Sequence, residues 1–467
     1  MNAAQSFVDG KRVLVLGLGE SGLSMAQWLS RHGARVRVAD TRATPPGLDE
    51  LRADVSEAEL RLGDLEAGLL DGVDLLALSP GLPTDEPVVR QARARGIPVV
   101  GDIELFARAL PETDRPKLIA ITGTNGKTTV ATLVAAMCRA AGHDCELAGN
   151  VSPAVLTALM AHEAAQRTPD VWVLELSSFQ LESTSTLAAD AATVLNVTED
   201  HLDRHGTMAD YAEAKSRIYY GGGAQIINRE DRYCRGMEIP GRKRISFGLD
   251  AAPDNDDFGL VRLSGEIWLA QGTTPLLPVR EMRLEGMHNA ANALAALALC
   301  RAIGLPFQPL IETLKSFGGL SHRVERVAEA QGVVYYDDSK GTNVGATVAA
   351  LRGFARQFVG RNARVVLIAG GEGKGQDFRP LSEAVEGITR AVILIGRDAP
   401  ALRAALRDSD VPLFDAPDMT AAVRQARQCA QGGDVVLLSP ACASLDMYRN
   451  YKHRGEVFRQ AVREVTQ

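Results

Sequence analysis

The sequence predicts an α/β protein of three domains, each built on a mainly parallel sheet. Three observations predict it. Short apolar runs recur along the chain, each followed by a Gly-rich turn and a helical pattern, which is the rhythm of βαβ units. The rhythm restarts twice, so it falls into three blocks. The chain has 467 residues, and at about 150 residues per domain that length suits three domains.

The first block reads as strands over Arg12–Leu16, Arg35–Asp40, Val73–Ser79 and Ile97–Val100. Gly17-Leu18-Gly19-Glu20-Ser21-Gly22 follows its first strand and opens a helix, and Asp40 closes the second strand. This is the pattern of a diphosphate held at a helix N-terminus with an acidic residue placed for a ribose, so the first domain is expected to be Rossmann-like. A UDP-sugar satisfies the pattern as well as NAD does. The polar Pro111–Pro116 stretch marks a boundary, giving a domain over 1–112.

The second block starts with Lys117–Ile121 and continues with Val171–Glu175, Ala192–Asn196 and Ala224–Asn228. Gly123-Thr124-Asn125-Gly126-Lys127-Thr128-Thr129 follows the first of these and precedes a helix over Val130–Ala141. Its glycines let backbone N–H groups converge on phosphates; Lys127 can reach the transferred phosphate and Thr128 can ligate Mg²⁺. The spacing is one residue tighter than GxxxxGK[ST]. Glu175, ending a neighbouring strand, stands where a phosphate-bound Mg²⁺ would look for a carboxylate. The loop Asn196-Val197-Thr198-Glu199-Asp200-His201-Leu202-Asp203 has the composition of a cation site, and equally that of a solvated loop. Tyr211, Lys215 and Tyr219 recur at i, i+4 and i+8 on one helix face; aromatic neighbours would depress the Lys215 pKa, while a snorkelling lysine accounts for the same pattern. Within Pro253–Pro278, Leu260–Leu263 and Ile267–Ala270 flank Ser264-Gly265 as a hairpin. The Gly-rich Phe317–Ser321 stretch closes a central P-loop ATPase-type domain with a small antiparallel part over 113–319.

The third block, 320–467, has strands over Val333–Asp337, Arg364–Ala369, Ala391–Ile395 and Val435–Leu438 and reads as a second Rossmann-like domain. After strands, or opening the block, come Ser321-His322-Arg323-Val324-Glu325, Asp337-Asp338-Ser339-Lys340-Gly341-Thr342-Asn343, Gly370-Gly371-Glu372-Gly373-Lys374-Gly375 and Leu438-Ser439-Pro440-Ala441-Cys442-Ala443-Ser444. Strand-end loops of one doubly wound sheet project to one edge, where these lysines, the arginine and the hydroxyls suit anionic ligands.

Composition excludes whole classes. Apolar residues make up 46% and charged residues 23%, an ordinary globular mix. A net charge of −7 argues against a general nucleic-acid binder, which needs clustered positive charge. No apolar run approaches the roughly 20 residues of a membrane helix, and the start carries no secretory pattern. The six cysteines form no CxxC pair and read as idle thiols of a reducing, cytoplasmic protein.

Taken in order, the segments LELSSFQLE, NVTEDHLDRH, YAEAKSRIY, GMHNAAN, SHRVE, DDSKGTN, GGEGKGQDF and LSPACASLDMYRNY, together with GTNGKTT, closely resemble the Mur ligase family over essentially the whole chain. GTNGKTT is that family's form of the phosphate loop, which explains the tight spacing. The start GLGESGLS and Asp40-Thr41-Arg42 resemble the member that adds the second amino acid. Tyr448 and Tyr451 stand where that member commonly has Phe, and Gly341 where Ala is frequent; neither change removes a reactive group.

The resemblance implies an ATP-dependent ligase joining D-glutamate to UDP-N-acetylmuramoyl-L-alanine through an acyl phosphate, in peptidoglycan precursor synthesis. It assigns Ser21, Thr41, Arg42, Ser79 and Gly81 to the UDP part of that substrate, and Asn150, Ser177 and His201 to its muramoyl-alanine end. Gly123, Thr124, Asn125, Gly126, Lys127, Thr128 and Thr129 would bind ATP phosphates, with Asn289 near the base and Arg323 and Asp338 near phosphate and ribose. Thr128 and Glu175 would hold one Mg²⁺, and His201 and a CO₂-derived carbamate on Lys215 a second. Lys340, Thr342, Lys374, Ser444, Leu445 and Tyr451 would place D-glutamate. Lys127, His201, Lys215 and Arg323 are the implied catalytic groups, and a monomer is expected. Rival readings are another Mur-type ligase, a folylpolyglutamate synthase-like ligase, a nucleotide switch, and an NAD-dependent dehydrogenase built on Gly17–Gly22. The last leaves the phosphate loop and the final third unexplained.

Overall fold

The structure is a computed structural model describing residues 7–63, 67–111, 113–284, 286–358 and 362–466. Glu112, at the first expected domain boundary, lies outside the described residues.

Three sheets carry the fold. The first joins β1 (Arg12–Leu16), β2 (Arg35–Asp40), β3 (Glu59–Leu62), β4 (Leu75–Leu78) and β5 (Val99–Val100) in the order β3-β2-β1-β4-β5. All its pairings are parallel. Leu14, Leu16, Leu76 and Leu78 pack under Val88, Val89 and Ala92 of the helix Pro87–Ala94. Chain order reverses at β1, between β2 and β4, and a doubly wound sheet opens its ligand crevice at such a point.

The second sheet runs β14-β13-β12-β11-β10-β9-β6-β8-β7. Its strands are β6 (Lys117–Thr122), β7 (Cys145–Gly149), β8 (Val171–Glu175), β9 (Ala191–Val194), β10 (Ala224–Asn228), β11 (Arg244–Phe247), β12 (Phe258–Leu263), β13 (Glu266–Gln271) and β14 (Thr274–Pro278). β7 through β12 pair in parallel, whereas β12–β13 and β13–β14 are antiparallel. Ser264 and Gly265 turn the β12–β13 hairpin with φ of 52° and 83°, the left-handed pair that matches strand twist.

The third sheet, β15-β16-β20-β17-β18-β19, comprises β15 (Glu325–Ala330), β16 (Val333–Asp337), β17 (Val365–Gly370), β18 (Thr389–Ile395), β19 (Leu413–Asp415) and β20 (Val435–Leu438). Only β15–β16 is antiparallel. Val365, Leu367 and Ala369 enter one core and Val366 and Ile368 the other. Both faces are covered by helices, which is why these strands read as unbroken apolar runs.

The chain divides into two compact units. One holds the first two sheets; the other holds the third sheet with 198–208 and 279–291. Among the described residues no helix is long and apolar enough to cross a membrane. All six cysteines are free thiols.

Candidate functional site

In the first sheet, Gly17 has φ of 90° and Gly19 caps the helix Glu20–Arg31. A Cβ on Gly22 would lie 1.8 Å from the Gly17 carbonyl oxygen, so only glycine lets the loop close on the helix. The structure revises the reading of Asp40 as a ribose acceptor. Its Oδ2 accepts from the Leu18 N–H at 2.7 Å and from Arg42 Nη2 at 2.7 Å, and its Oδ1 from Arg42 N–H and Nε. Burial works against its charge, but the guanidinium and these N–H groups hold it at about 2. Asp40 therefore fixes Arg42 and the glycine loop rather than a ligand. Thr41 and Gly81 are exposed and Ser79 is buried at the end of β4.

The phosphate loop runs from β6 into the helix Lys127–Ala140. Gly126 caps that helix in a left-handed conformation, φ 83°. Thr124 N–H donates to the Asn196 carbonyl, and Asn125 N–H to Asn196 Oδ1, so Asn196, just past β9, braces the loop. Lys127 Nζ folds over the loop, donating to the Gly123 and Thr124 carbonyls at 2.8 Å each. Thr128 and Thr129 follow it in the first turn.

Glu175 pairs in register with Ile121 on the neighbouring strand and is 2% exposed. Its Oε1 accepts from Asn150 Nδ2 at 2.8 Å, while Oε2 is buried with no hydrogen-bond partner. A buried carboxylate oxygen left unpaired is costly unless something occupies it, and a hard divalent cation is a suitable occupant. The residues present thus fit a phosphate-bound Mg²⁺ at Thr128 and Glu175. Among the described residues no group of three or more His, Cys, Asp or Glu could hold a metal alone.

Lys215 is 1% exposed; its Nζ lies 4.4 Å from the Tyr211 ring centroid and donates to the Gly123 carbonyl at 3.1 Å. The structure corrects the helical face expected here. The helix spans Met208–Ser216, and Tyr219 sits in a following 3₁₀ turn. There its hydroxyl meets Val194 N–H and the Ile226 carbonyl under the sheet. Tyr211 alone of the two rings packs on the lysine.

Ser21 and Ser177 belong to the first compact unit, and the second holds the other candidates. Asp200, 6% exposed, accepts from Lys374 Nζ at 2.7 Å and from Asn343 Nδ2 at 3.2 Å. Glu199 accepts from Asp377 N–H. Glu199 and Asp200 are thus engaged by N–H donors. His201, Lys374, His322 and Val324 have φ of 55°, 53°, 64° and 47°. Such strain in non-glycine residues, least tolerated at β-branched Val324, concentrates where binding geometry is imposed by the surroundings. Asp338 accepts from Ser439 Oγ at 2.7 Å, and burial pushes its carboxyl up to about 7 despite that bond and the nearby Arg323 charge. Lys340 Nζ lies 4.0 Å over the Tyr451 ring. Thr342 N–H donates to the Lys340 carbonyl, Ser444 is buried and Leu445 is 68% exposed. Asn289 lies in the first turn of the helix Met287–Ala302.

Sequence reasoning did not single out Arg454. Fully buried, it donates to the Ser339 carbonyl and Oγ and to the Cys442 and Ala443 carbonyls, tying two strand-end loops together. Its signal was a charged residue on the apolar side of the helix Tyr451–Thr466.

Comparison with known proteins matches all three parts of the chain to one family. Residues 11–101 match a Mur ligase MurD-like N-terminal domain, 121–300 a Mur ligase middle domain and 322–442 a Mur ligase glutamate ligase domain. The UDP-N-acetylmuramoylalanine–D-glutamate ligase of Nitrosospira multiformis is 54% identical over 98% of this chain and 96% of its own. The enzyme of that name from Aromatoleum aromaticum is 54% identical over 98% of both chains. Among solved structures, MurF from Acinetobacter baumannii shares the fold at a TM-score of 0.60 and 16% identity, covering 99% of this chain and 98% of that one. The UDP-N-acetylmuramate-alanine ligase of Thermotoga maritima does so at 0.59 and 17%, covering 97% and 100%.

Proposed function

The chain belongs to the Mur ligase family, and from that premise we propose that it joins D-glutamate to UDP-N-acetylmuramoyl-L-alanine with conversion of ATP to ADP and phosphate. The observation that carries the reading is identity above 50% over nearly the full length of relatives bearing that activity in their names. In the reaction, an oxygen of the alanyl carboxylate attacks the γ-phosphorus and ADP leaves; the amine of D-glutamate then attacks the acyl carbon, phosphate leaves, and an amide remains.

Each step presses like charges together, so cationic groups must face them. Lys127, detached from the two carbonyls it now holds, would follow the γ-phosphate. Gly123–Thr129 would cradle the polyphosphate, and Asn289, Arg323 and Asp338 would receive base, phosphate and ribose. Ser21, Thr41, Arg42, Ser79 and Gly81 would hold UDP; Asn150, Ser177 and His201 would line the acyl end. Lys340, Thr342, Lys374, Ser444, Leu445 and Tyr451 would take D-glutamate, Lys374 exchanging Asp200 for a substrate carboxylate. Mg²⁺ at Thr128 and Glu175, and a second ion at His201 and a carbamylated Lys215, would neutralise phosphate charge. Domains over 1–112, 113–319 and 320–467, a monomeric state and a cytoplasmic location complete the reading.

The test is ADP release from ATP and UDP-N-acetylmuramoyl-L-alanine with D-glutamate, L-glutamate, L-alanine or diaminopimelate. Release that requires D-glutamate is expected. Equal rates with another amino acid would overturn the assignment.

A further inference from the structure

Gln376 is buried in the loop that presents Lys374. Its N–H donates to the Gly373 carbonyl at 3.1 Å, and between these two residues Lys374 and Gly375 have φ of 53° and 72°. Positive φ at both central residues is the pattern of a type I′ turn, which glycine adopts freely and lysine does not. The Gln376 side chain closes the same turn again. Its Nε2 donates to the Gly373 carbonyl at 2.8 Å and to the Ala441 carbonyl at 3.4 Å, while its Oε1 accepts from the Val344 N–H at 2.9 Å. The nitrogen faces two acceptors and the oxygen faces a donor, so only one orientation of the amide satisfies all three contacts.

Those contacts join three loops at the carboxyl ends of adjacent strands, 338–343 after β16, 371–376 after β17 and 439–444 after β20. The loops carry Lys340 and Thr342, Lys374, and Ser444, all expected to place D-glutamate. Their bases are fastened without Gln376. Arg454 ties Ser339 to Cys442 and Ala443, and Glu372 and Ala443 exchange backbone hydrogen bonds at 3.0 and 2.8 Å. What Gln376 adds is a fixed tip. Lys374 reaches Asp200 at 2.7 Å, and Asp200 also accepts from Asn343, the neighbour of Val344. Gln376, Val344, Asn343, Asp200 and Lys374 thus close a ring around the tip of the turn.

We propose that Gln376 is a positioning residue for the amino-acid substrate, locking the turn that presents Lys374 so that the three loops read an amino diacid of one chain length. The proposal rests on the function proposed above and adds a specificity residue to it. A lysine in the left-handed region persists only where its surroundings impose that conformation. Misplacing a binding group by about 1 Å costs on the order of 10²-fold.

The experiment compares Gln376→Ala, Gln376→Glu and Asp434→Asn with the wild type. It measures KM for D-glutamate, ATP and UDP-N-acetylmuramoyl-L-alanine, and kcat/KM for D-glutamate against D-2-aminoadipate, one methylene longer. A wild type without D-glutamate-dependent turnover would sink the proposed function, and this inference with it. Given that turnover, Gln376→Ala is expected to raise KM for D-glutamate about 10-fold or more, while the other two KM values move less than about 3-fold. Its preference for D-glutamate over the longer acid should fall about 5-fold. Gln376→Glu keeps the side-chain size should alanine prevent folding; its carboxylate can accept from Val344 but cannot donate to Gly373 or Ala441, so the same split is expected. Asp434, fully buried against Arg390 at the amino ends of the strands, serves as the structural control. Asp434→Asn should lower the melting temperature without the split. Equal rises in all three KM values, an unchanged KM or preference for D-glutamate, or the same split in Asp434→Asn would overturn the proposal.

Discussion

At the scale of single residues, the site is a set of charges whose resting partners are visible. Lys127 rests on two loop carbonyls, Lys374 on Asp200 and Lys215 on the Gly123 carbonyl. Replacing Lys127 by Ala should lower kcat by about 10²–10³, the loss typical of one electrostatic donor in a transition state; a mutant within twofold of wild type would end its phosphate role. Lys374→Ala should raise KM for D-glutamate while leaving that for ATP unchanged, as expected of a lysine that pairs with the incoming amino acid. For Lys215→Ala the informative measurement is rescue. A short carboxylic acid restoring part of the activity supports the carbamate, whereas rescue by an amine of similar size means that the ammonium was the working group. Asp338 gives a pH signature. Its carboxyl is raised from 3.8 to about 7 by burial, so between those values the native state holds a proton that the unfolded chain has lost. Stability from this group is complete below the unfolded value and falls as pH rises towards 7, by up to about 1.4 kcal/mol per pH unit. Denaturant titrations at pH 5 and pH 8 should differ less in Asp338→Asn than in wild type; an unchanged difference would place the titration elsewhere.

At the scale of elements, legibility followed burial. The central strands β1, β2, β8, β10, β16 and β20 are bounded as their apolar runs predict. The strands that escaped notice were mostly peripheral ones with mixed composition. β3 reads Glu-Leu-Arg-Leu and β15 Glu-Arg-Val-Ala-Glu-Ala, both at sheet edges where charge is tolerated and serves against unwanted pairing. β7 and β19 are edge strands too. Helix ends were less legible where capping is unusual: the helix after the phosphate loop starts at Lys127 because Gly126 caps it left-handed, which no side-chain capping signal announces. The same asymmetry governs the site. Gly-rich loops and Glu175 stood out because their chemistry is local. Gln180 and Arg454 did not, because their roles arise from partners 78 and 115 residues away. Gly22 tests the element most directly. A Cβ there meets the Gly17 carbonyl oxygen at 1.8 Å, backbone that cannot step aside without moving the helix start. Gly22→Ala should destabilise the fold by about 1–3 kcal/mol and raise KM for the UDP substrate far more than that for ATP. An equal rise in both would show that the damage is not confined to the helix start.

At the scale of the molecule, the division into two compact units cuts across the order of the motifs. His201 and Asn289, read from the middle of the chain, belong to the unit that holds the third sheet. Of the residues expected to receive ATP, Gly123–Thr129 belong to the first unit. Those expected to receive UDP, from Ser21 to Gly81, all lie in the first. A ligand stabilises only what it binds, by RT ln(1 + [L]/Kd), or about 2.7 kcal/mol at a hundredfold excess over Kd. Two calorimetric transitions are expected, since units with separate cores unfold as separate cooperative bodies. UDP should raise one of them and leave the other in place. A non-hydrolysable ATP analogue with Mg²⁺ should raise the transition of the unit that holds Gly123–Thr129. Movement of both transitions with UDP alone would mean that the nucleotide of the acyl substrate also reaches the third-sheet unit, and the assignment of its pocket to Ser21, Thr41, Arg42, Ser79 and Gly81 would fail.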